Sequence, residues 1–254
     1  MAFARSHGQT DVGRVRLHNE DAFLIDDHTG LYVVADGMGG HAAGEVASAE
    51  AIDQIHAMVK NQYGVVQAYL REPSVPAASA VCRLLEAAVQ AATYMVFGLA
   101  EQDPARRGMG TTISTLLVAG QHAFVAQVGD SRVYHGRKGQ VVQLTEDHTL
   151  VNLQVKMGLL TPEQAKTAAH GNIITRAVGL YDYVEVDTVD VEVQPGDRFL
   201  LCSDGLHGYV SEPAEVARFL FAPGIEDGAQ GLIDAANSRG GKDNISVILI
   251  ETLG

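Results

Sequence analysis

Cysteine is nearly missing from this chain: Cys82 and Cys202 are the only two among 254 residues. Neither has a second cysteine nearby, which excludes a disulfide framework and a Cys-based zinc site and reads both as buried packing residues. Basic residues are also scarce, 18 Lys plus Arg against 31 Asp plus Glu. The resulting charge of −13 argues against a protein that tracks nucleic-acid phosphates or an anionic membrane surface. Long apolar runs are lacking too. The longest, such as Ile245 to Ile250, are strand length and fall far short of the ~20 residues that cross a bilayer. The opening MAFARSHGQTDVGR has no continuous apolar segment of the secretory kind, so the expected location is the cytoplasm. No repeat or Pro/Ser-rich linker occurs, and the most linker-like piece is Gly64 to Pro76. One domain spanning residues 1–254 is expected.

What is present supports a sizeable core. Hydrophobic residues make up 46%, and a chain of this length hides roughly 70–75% of its unfolded surface on folding. Helical periodicity places Val46, Ala49, Ile52, Ile55 and Val59 on one face, and a second series runs from Val81 to Leu99. Shorter helices are expected after Thr161-Pro162, after Ser211, and from Glu226 to Asn237. Runs rich in Val, Leu and Ile predict strands at Tyr32–Ala35, Thr112–Ala119, Ala123–Val128, Arg132–His135, Val141–Leu144, Val184–Val193, Phe199–Cys202 and Ile245–Ile250. Gly120-Gln121 and Gly129-Asp130-Ser131 are hairpin-length links that imply antiparallel pairing. Helices grouped between runs of strands predict stacked sheets covered by helices, not an alternating parallel sheet.

Three of these strands end on an acid: LYVVAD at Asp36, FVAQVGD at Asp130 and FLLCSD at Asp204. Asp243 stands just before ISVILI, with Asn244 between. A carboxylate at the mouth of an apolar core costs several kcal/mol unless it is paired or coordinated, and cations to pair these are few. Glycine beside Asp36, Asp130 and Asp204 lets the backbone turn sharply and approach a ligand. Glu20 and Asp21 add two acids before a strand, and Arg16 lies four residues upstream of Glu20. Taken singly, an Asp-Gly pair is an ordinary turn, Glu20-Asp21 a solvated strand entry and Arg16 half of a surface ion pair. Taken together, the acids read as a site for hard divalent ions, which two at a time clamp phosphoryl transfer.

The segments GRVRLHNEDAF, VVADGMGGHAAGE, GMGTT, VGDSRVY, ITRAVG, LLCSDGL and GGKDNISVI, in this order, resemble the metal-dependent Ser/Thr protein phosphatases of type 2C, in their compact bacterial form. The resemblance runs from Arg16 to Ile248. It implies an α+β fold, a β-sandwich of two antiparallel sheets flanked by helices on both sides, in four layers αββα. It further implies that Asp36 bridges two Mn²⁺ or Mg²⁺ ions, with the carbonyl of Gly37 on the first ion and Asp204 and Asp243 on the second. Glu20 and Asp21 would hold metal-bound waters, Arg16 would grip the substrate phosphate, and Asn244 would support the site beside Asp243. Asp130 with Asp204 matches the residues that hold a third, weaker ion. A hydroxide bridging the ions would then attack phosphorus in line, with no phosphoenzyme; Ser203 becomes a structural hydrogen-bonder rather than a nucleophile.

One position departs from the pattern. Where animal relatives carry His after the Asp-Gly pair, this chain has Met38, which donates no proton. Metal-bound water or His41 must then protonate the leaving group. The glycine run at Gly37, Gly39, Gly40 and Gly44 lacks the spacing of a nucleotide-binding loop. The helical insertion at about 146–172 would be a flap beside the site, where substrate choice resides, or simply a packing helix pair. The expected activity is hydrolysis of phosphoserine and phosphothreonine in phosphorylated protein substrates, opposing a Ser/Thr kinase, by a monomer. The alternative is a catalytically silent phosphoprotein-binding module of the same fold.

Overall fold

The structure is a computed structural model and describes residues 4–39, 43–165, 168 and 173–253. The strands are β1 (Ala4–Asp11), β2 (Asp21–Asp26), β3 (Leu31–Met38), β4 (Gly110–Thr111), β5 (Ile113–Ala119), β6 (His122–Val128), β7 (Arg132–Arg137), β8 (Gln140–Gln143), β9 (Asp187–Glu192), β10 (Arg198–Cys202) and β11 (Ile245–Thr252). The helices are α1 (Ala43–Asn61), α2 (Gly64–Arg71), α3 (Val75–Gln102), α4 (Leu150–Lys156), α5 (Pro162–Ala165), α6 (Asp204–His207), α7 (Pro213–Leu220) and α8 (Ile225–Ser238). One sheet runs β1-β11-β10-β7-β8 and the other β2-β3-β5-β6-β9, with β4 added on β3. All pairings are antiparallel.

Strand alternation builds the layers. In β3, Leu31, Val33 and Ala35 face α1 and α3, while Tyr32 and Val34 face the other sheet. In β11, Val247 and Leu249 pack with Leu232 and Ala236 of α8, while Ile248 and Ile250 meet Phe199 and Leu201 between the sheets. Because both faces are covered, these strands read as continuous apolar runs, and a slip of one residue would exchange the contents of two cores. The expected αββα stack is the one observed.

Several local expectations differ. The linker-like segment Gly64 to Pro76 holds α2, whose Val66 and Tyr69 are buried against the α1–α3 core. The polar stretch ARSHGQTD forms β1 because β11 offers it a free edge in full register, from Ala4↔Thr252 to Asp11↔Ile245. Gly120-Gln121 does join a hairpin, β5 to β6. Gly129-Asp130-Ser131 does not: β6 belongs to one sheet and β7 to the other. Both edges of β6 are taken, by β5 and β9, so the chain must cross the sandwich, and Gly129 turns it there with φ +99°. Helix α3 is long and apolar enough to cross a membrane, but its stripe of Val81, Leu85, Val89 and Val96 is buried in the core. That length was invisible as an apolar run because polar residues interrupt it at helical spacing.

Candidate metal centre

The strand ends that carry acids all meet at one end of the sandwich. Asp21 opens β2 directly opposite Asp36 of β3. Asp204 follows β10 as the first residue of α6, and Asp243 precedes β11, the neighbour of β10. Asp130 sits on the crossover from β6 to β7.

Hydrogen bonds fasten each backbone. The Asp36 N–H donates to Thr112 Oγ1 at 3.0 Å, and Thr111 Oγ1 donates to the Asp36 carbonyl at 2.9 Å. Thr112 Oγ1 also meets Ser131 Oγ at 2.7 Å, which ties Asp36 to the crossover. Asn244 is buried and pins the loop between β1 and β2: its Oδ1 accepts the Glu20 N–H at 2.8 Å, and its Nδ2 donates to the carbonyls of Val12 and His18. Ser203 Oγ donates to Asp21 Oδ2 at 2.7 Å and accepts the Ser246 N–H at 3.0 Å, the structural part expected of it.

The glycines here serve backbone contact rather than a turn toward a ligand. A Cβ on Gly37 would lie 2.1 Å from the Gly44 carbonyl, and one on Gly205 would lie 2.0 Å from the Asn244 carbonyl. Neither residue has a positive φ. Gly44 in turn is packed by the Glu20 side chain.

The electrostatics are strained. Burial pushes Asp21 up to about 7, offset by the Ser203 and Ser246 hydrogen bonds and reinforced by Asp204 and Asp243. Burial also pushes Asp130 up to about 7, with Asp204 and Asp147 adding to it. Asp36 stands well above the carboxylate range through burial and the charges of Asp21, Asp204, Asp130 and Asp243. Asp204 is raised by burial and by Asp243. Asp21 Oδ1, Asp130 Oδ1 and Asp204 Oδ1 are enclosed with no hydrogen-bond partner. Acidic oxygens crowded, desolvated and unpaired are a donor set that a hard divalent cation satisfies.

Among the described residues, no three Asp, Glu, His or Cys side chains stand at the spacing of a closed ligand set. The reason is visible in their pairings. Asp243 is turned to Arg16, whose Nη2 donates at 2.6 Å, and Asp21 is turned to Ser203. Arg16 is half exposed, and its pKa is raised, chiefly by that bond to Asp243. Asp130 has no such partner: Arg132 forks onto Asp147, at 2.9 and 2.6 Å, so the turn is not held by an Asp130–Arg132 pair. Met38 ends β3 opposite Gly110. His41 lies outside the described residues, as do parts of the insertion at about 146–172.

A cavity of about 710 Å³ opens from this cluster toward the insertion. Asp130, Asp204, Asp243, Lys242 and His207 line one side, and Thr149, Val151, Val155 and Pro162, from α4, α5 and the turns before them, line the other. No local pattern marks His207, or His148, whose ring Nδ1 accepts the Gly129 N–H at 3.1 Å; both act on residues distant in the chain.

A model of the protein phosphatase 2C family matches residues 10–229. The chain is 38% identical over 247 residues to a serine/threonine phosphatase stp of Listeria innocua, covering 96% of this chain and 94% of that one. The crystal structure of the Mycobacterium tuberculosis serine/threonine phosphatase PstP superposes with a TM-score of 0.85 at 35% identity, covering 99% of each chain. The catalytic domain of PstP in complex with two manganese ions superposes with a TM-score of 0.83 at 35% identity, again covering 99% of each.

Proposed function

Because the chain belongs to the protein phosphatase 2C family of metal-dependent serine/threonine protein phosphatases, we propose that it hydrolyses phosphoserine and phosphothreonine in proteins at the acid cluster, with Mn²⁺ or Mg²⁺. The observation that carries this reading is the set of Asp21, Asp36, Asp130 and Asp204, raised in pKa and holding three unpaired oxygens. On this reading Asp36 and the Gly37 carbonyl would hold the first ion, Asp36, Asp204 and Asp243 the second, and Asp130 with Asp204 a weaker third. Glu20 and Asp21 orient water at the edge of the pair. Held by these residues, such ions would supply acidified water and charge to offset that on the phosphoryl oxygens.

The protein's own groups do the rest. Arg16, half exposed beside Asp243, would present its planar fork to the phosphate oxygens, for which a guanidinium is well matched. Asn244 keeps Asp243 and Glu20 in fixed relation through its three hydrogen bonds. His207 is an imidazole of the cavity wall, but it is not the general acid. Its Nε2 faces the Asp130 carbonyl at 2.9 Å, and burial pushes its pKa down to about 4, too low for an efficient proton donor at neutral pH. The described helices of the insertion, α4 and α5, line the cavity and would border the path of a phosphopeptide. The same reading makes the chain a single cytoplasmic phosphatase domain, monomeric, that reverses the work of a Ser/Thr kinase.

The test is hydrolysis of a phosphothreonine peptide and of p-nitrophenyl phosphate with added Mn²⁺ and with chelator. Turnover that needs millimolar-range ion and stops in chelator is expected, since an oxygen-only site that keeps several waters binds hard ions modestly. Chelator-insensitive turnover would sink the two-ion reading. Ion binding without any turnover would favour the silent binding module.

Asp130→Ala separates the weak ion from the core pair. The variant is expected to fold, to bind two ions by calorimetry, and to turn over about 10–100-fold more slowly at saturating Mn²⁺. Full turnover in this variant would remove any catalytic part for Asp130.

A further inference from the structure

The crossover Gly129-Asp130-Ser131 has no sheet partner of its own, yet it is held more heavily than a surface turn requires. His148 Nδ1 accepts the Gly129 N–H at 3.1 Å, and the His148 N–H donates to the Gly129 carbonyl at 2.9 Å. Because Nδ1 accepts, the ring proton sits on Nε2, and Asp187 Oδ2 receives it at 3.2 Å. Arg176, from the ITRAVG segment, braces Asp187 in turn at 2.7 Å. Gln127 Nε2 donates to the carbonyls of Gly129 and Ser131. From helix α6, His207 Nε2 reaches the Asp130 carbonyl at 2.9 Å.

We propose that His207 and His148 are positioning residues that clamp the crossover from its two sides, so that the Asp130 carboxylate is presented to the cavity with an oxygen unpaired. The proposal rests on the reading of Asp130 as ligand to the weaker ion. Its physical content is a division of labour. An unpaired, desolvated carboxylate is repelled by Asp204 and Asp147 and tends to turn toward water. The crossover itself, three residues between sheets, has no ladder to resist that rotation. The His148 ring accepting the Gly129 N–H and the His207 ring donating to the Asp130 carbonyl hold the backbone on either side of Asp130, and so fix the direction of its Cα–Cβ bond. Groups that orient a ligand from behind typically change ion affinity or activity by about 10–100-fold when removed.

The test uses substitutions that keep or delete the hydrogen-bonding atom at its position. His207→Gln keeps a donor at the ε position, and His207→Leu deletes it. His148→Asn keeps an acceptor at the δ position, and His148→Leu deletes it. Mn²⁺ is titrated by calorimetry into each intact variant, with thermal midpoints in chelator recorded beside turnover and KM for a phosphopeptide. The leucine variants are expected to lose or weaken about 10–100-fold the weakest binding event, with the stronger events unchanged, and to lower kcat with KM unmoved. The Gln and Asn variants are expected to stay within about threefold of wild type. Adding Asp130→Ala to His207→Leu should cost nothing more, because both remove the same ligand.

Gln and Asn variants as impaired as the leucine variants would assign the effect to ring packing and overturn the proposal. So would leucine variants that keep every binding event, or that weaken all of them alike. Asp130→Ala is the internal reference. If it loses the weak event while His207→Leu keeps it, only the clamp fails. If Asp130→Ala itself keeps the event, the reading of Asp130 as a ligand fails.

Discussion

Asp36→Asn is expected to lower kcat at saturating Mn²⁺ by about a thousandfold or more, which corresponds to roughly 4 kcal/mol of lost transition-state stabilisation. In the same variant the protein in chelator should become more stable, with a thermal midpoint a few degrees higher. The opposite signs come from one cause. Asp36 is surrounded by Asp21, Asp204, Asp130 and Asp243, and burial and repulsion hold its pKa well above the ordinary range. An amide of the same shape keeps the Thr111 and Thr112 hydrogen bonds to the backbone and removes the repulsion. It also removes the negative charge that a bridging position between two cations requires. A rate near wild type would show that Asp36 does not bridge. An unchanged midpoint would show that the acids are not under electrostatic stress.

Gly205→Ala is the second large effect, and it acts on the backbone. The added Cβ would lie 2.0 Å from the Asn244 carbonyl oxygen, a contact that neither a rotamer nor a flexible side chain relieves. Helix α6 and the Asp243-Asn244 turn must separate, carrying Asp204 away from Asp243. The expected cost is about 3 kcal/mol of stability by urea unfolding, with loss of nearly all Mn²⁺-dependent hydrolysis. Gly139→Ala is the control. Gly139 has a positive φ but nothing within 4 Å of an added Cβ, so it should cost only about 1 kcal/mol and leave activity alone. A Gly205→Ala midpoint equal to that of Gly139→Ala would refute the close-approach argument.

The legible part of this molecule was the part written in local chemistry. Apolar runs such as LYVVA and FLLC declared strands covered on both faces, and their terminal Asp36 and Asp204 declared an acidic mouth. What stayed hidden depends on partners far along the chain. Strand β1 has a polar sequence and exists because β11 has an open edge. The link Gly129-Asp130-Ser131 has hairpin length, and only the occupied edges of β6 forbid a hairpin. His207 meets a carbonyl 77 residues away, and Arg16 meets a carboxylate 227 residues away. No spacing rule over one segment reaches such contacts, whereas the ordered series of seven short segments carried the family and with it most of the acid cluster.

The pairing of β1 with β11 has one more consequence. Asp11 lies opposite Ile245, one residue from Asn244, while Ala4 lies opposite Thr252. Eight residues of extended chain put about 23 Å between these two ends. Both ends of the described chain therefore leave the body side by side at the pole remote from the acids. A tether that pulls on either one would hold the molecule with the acid cluster facing away from the attachment.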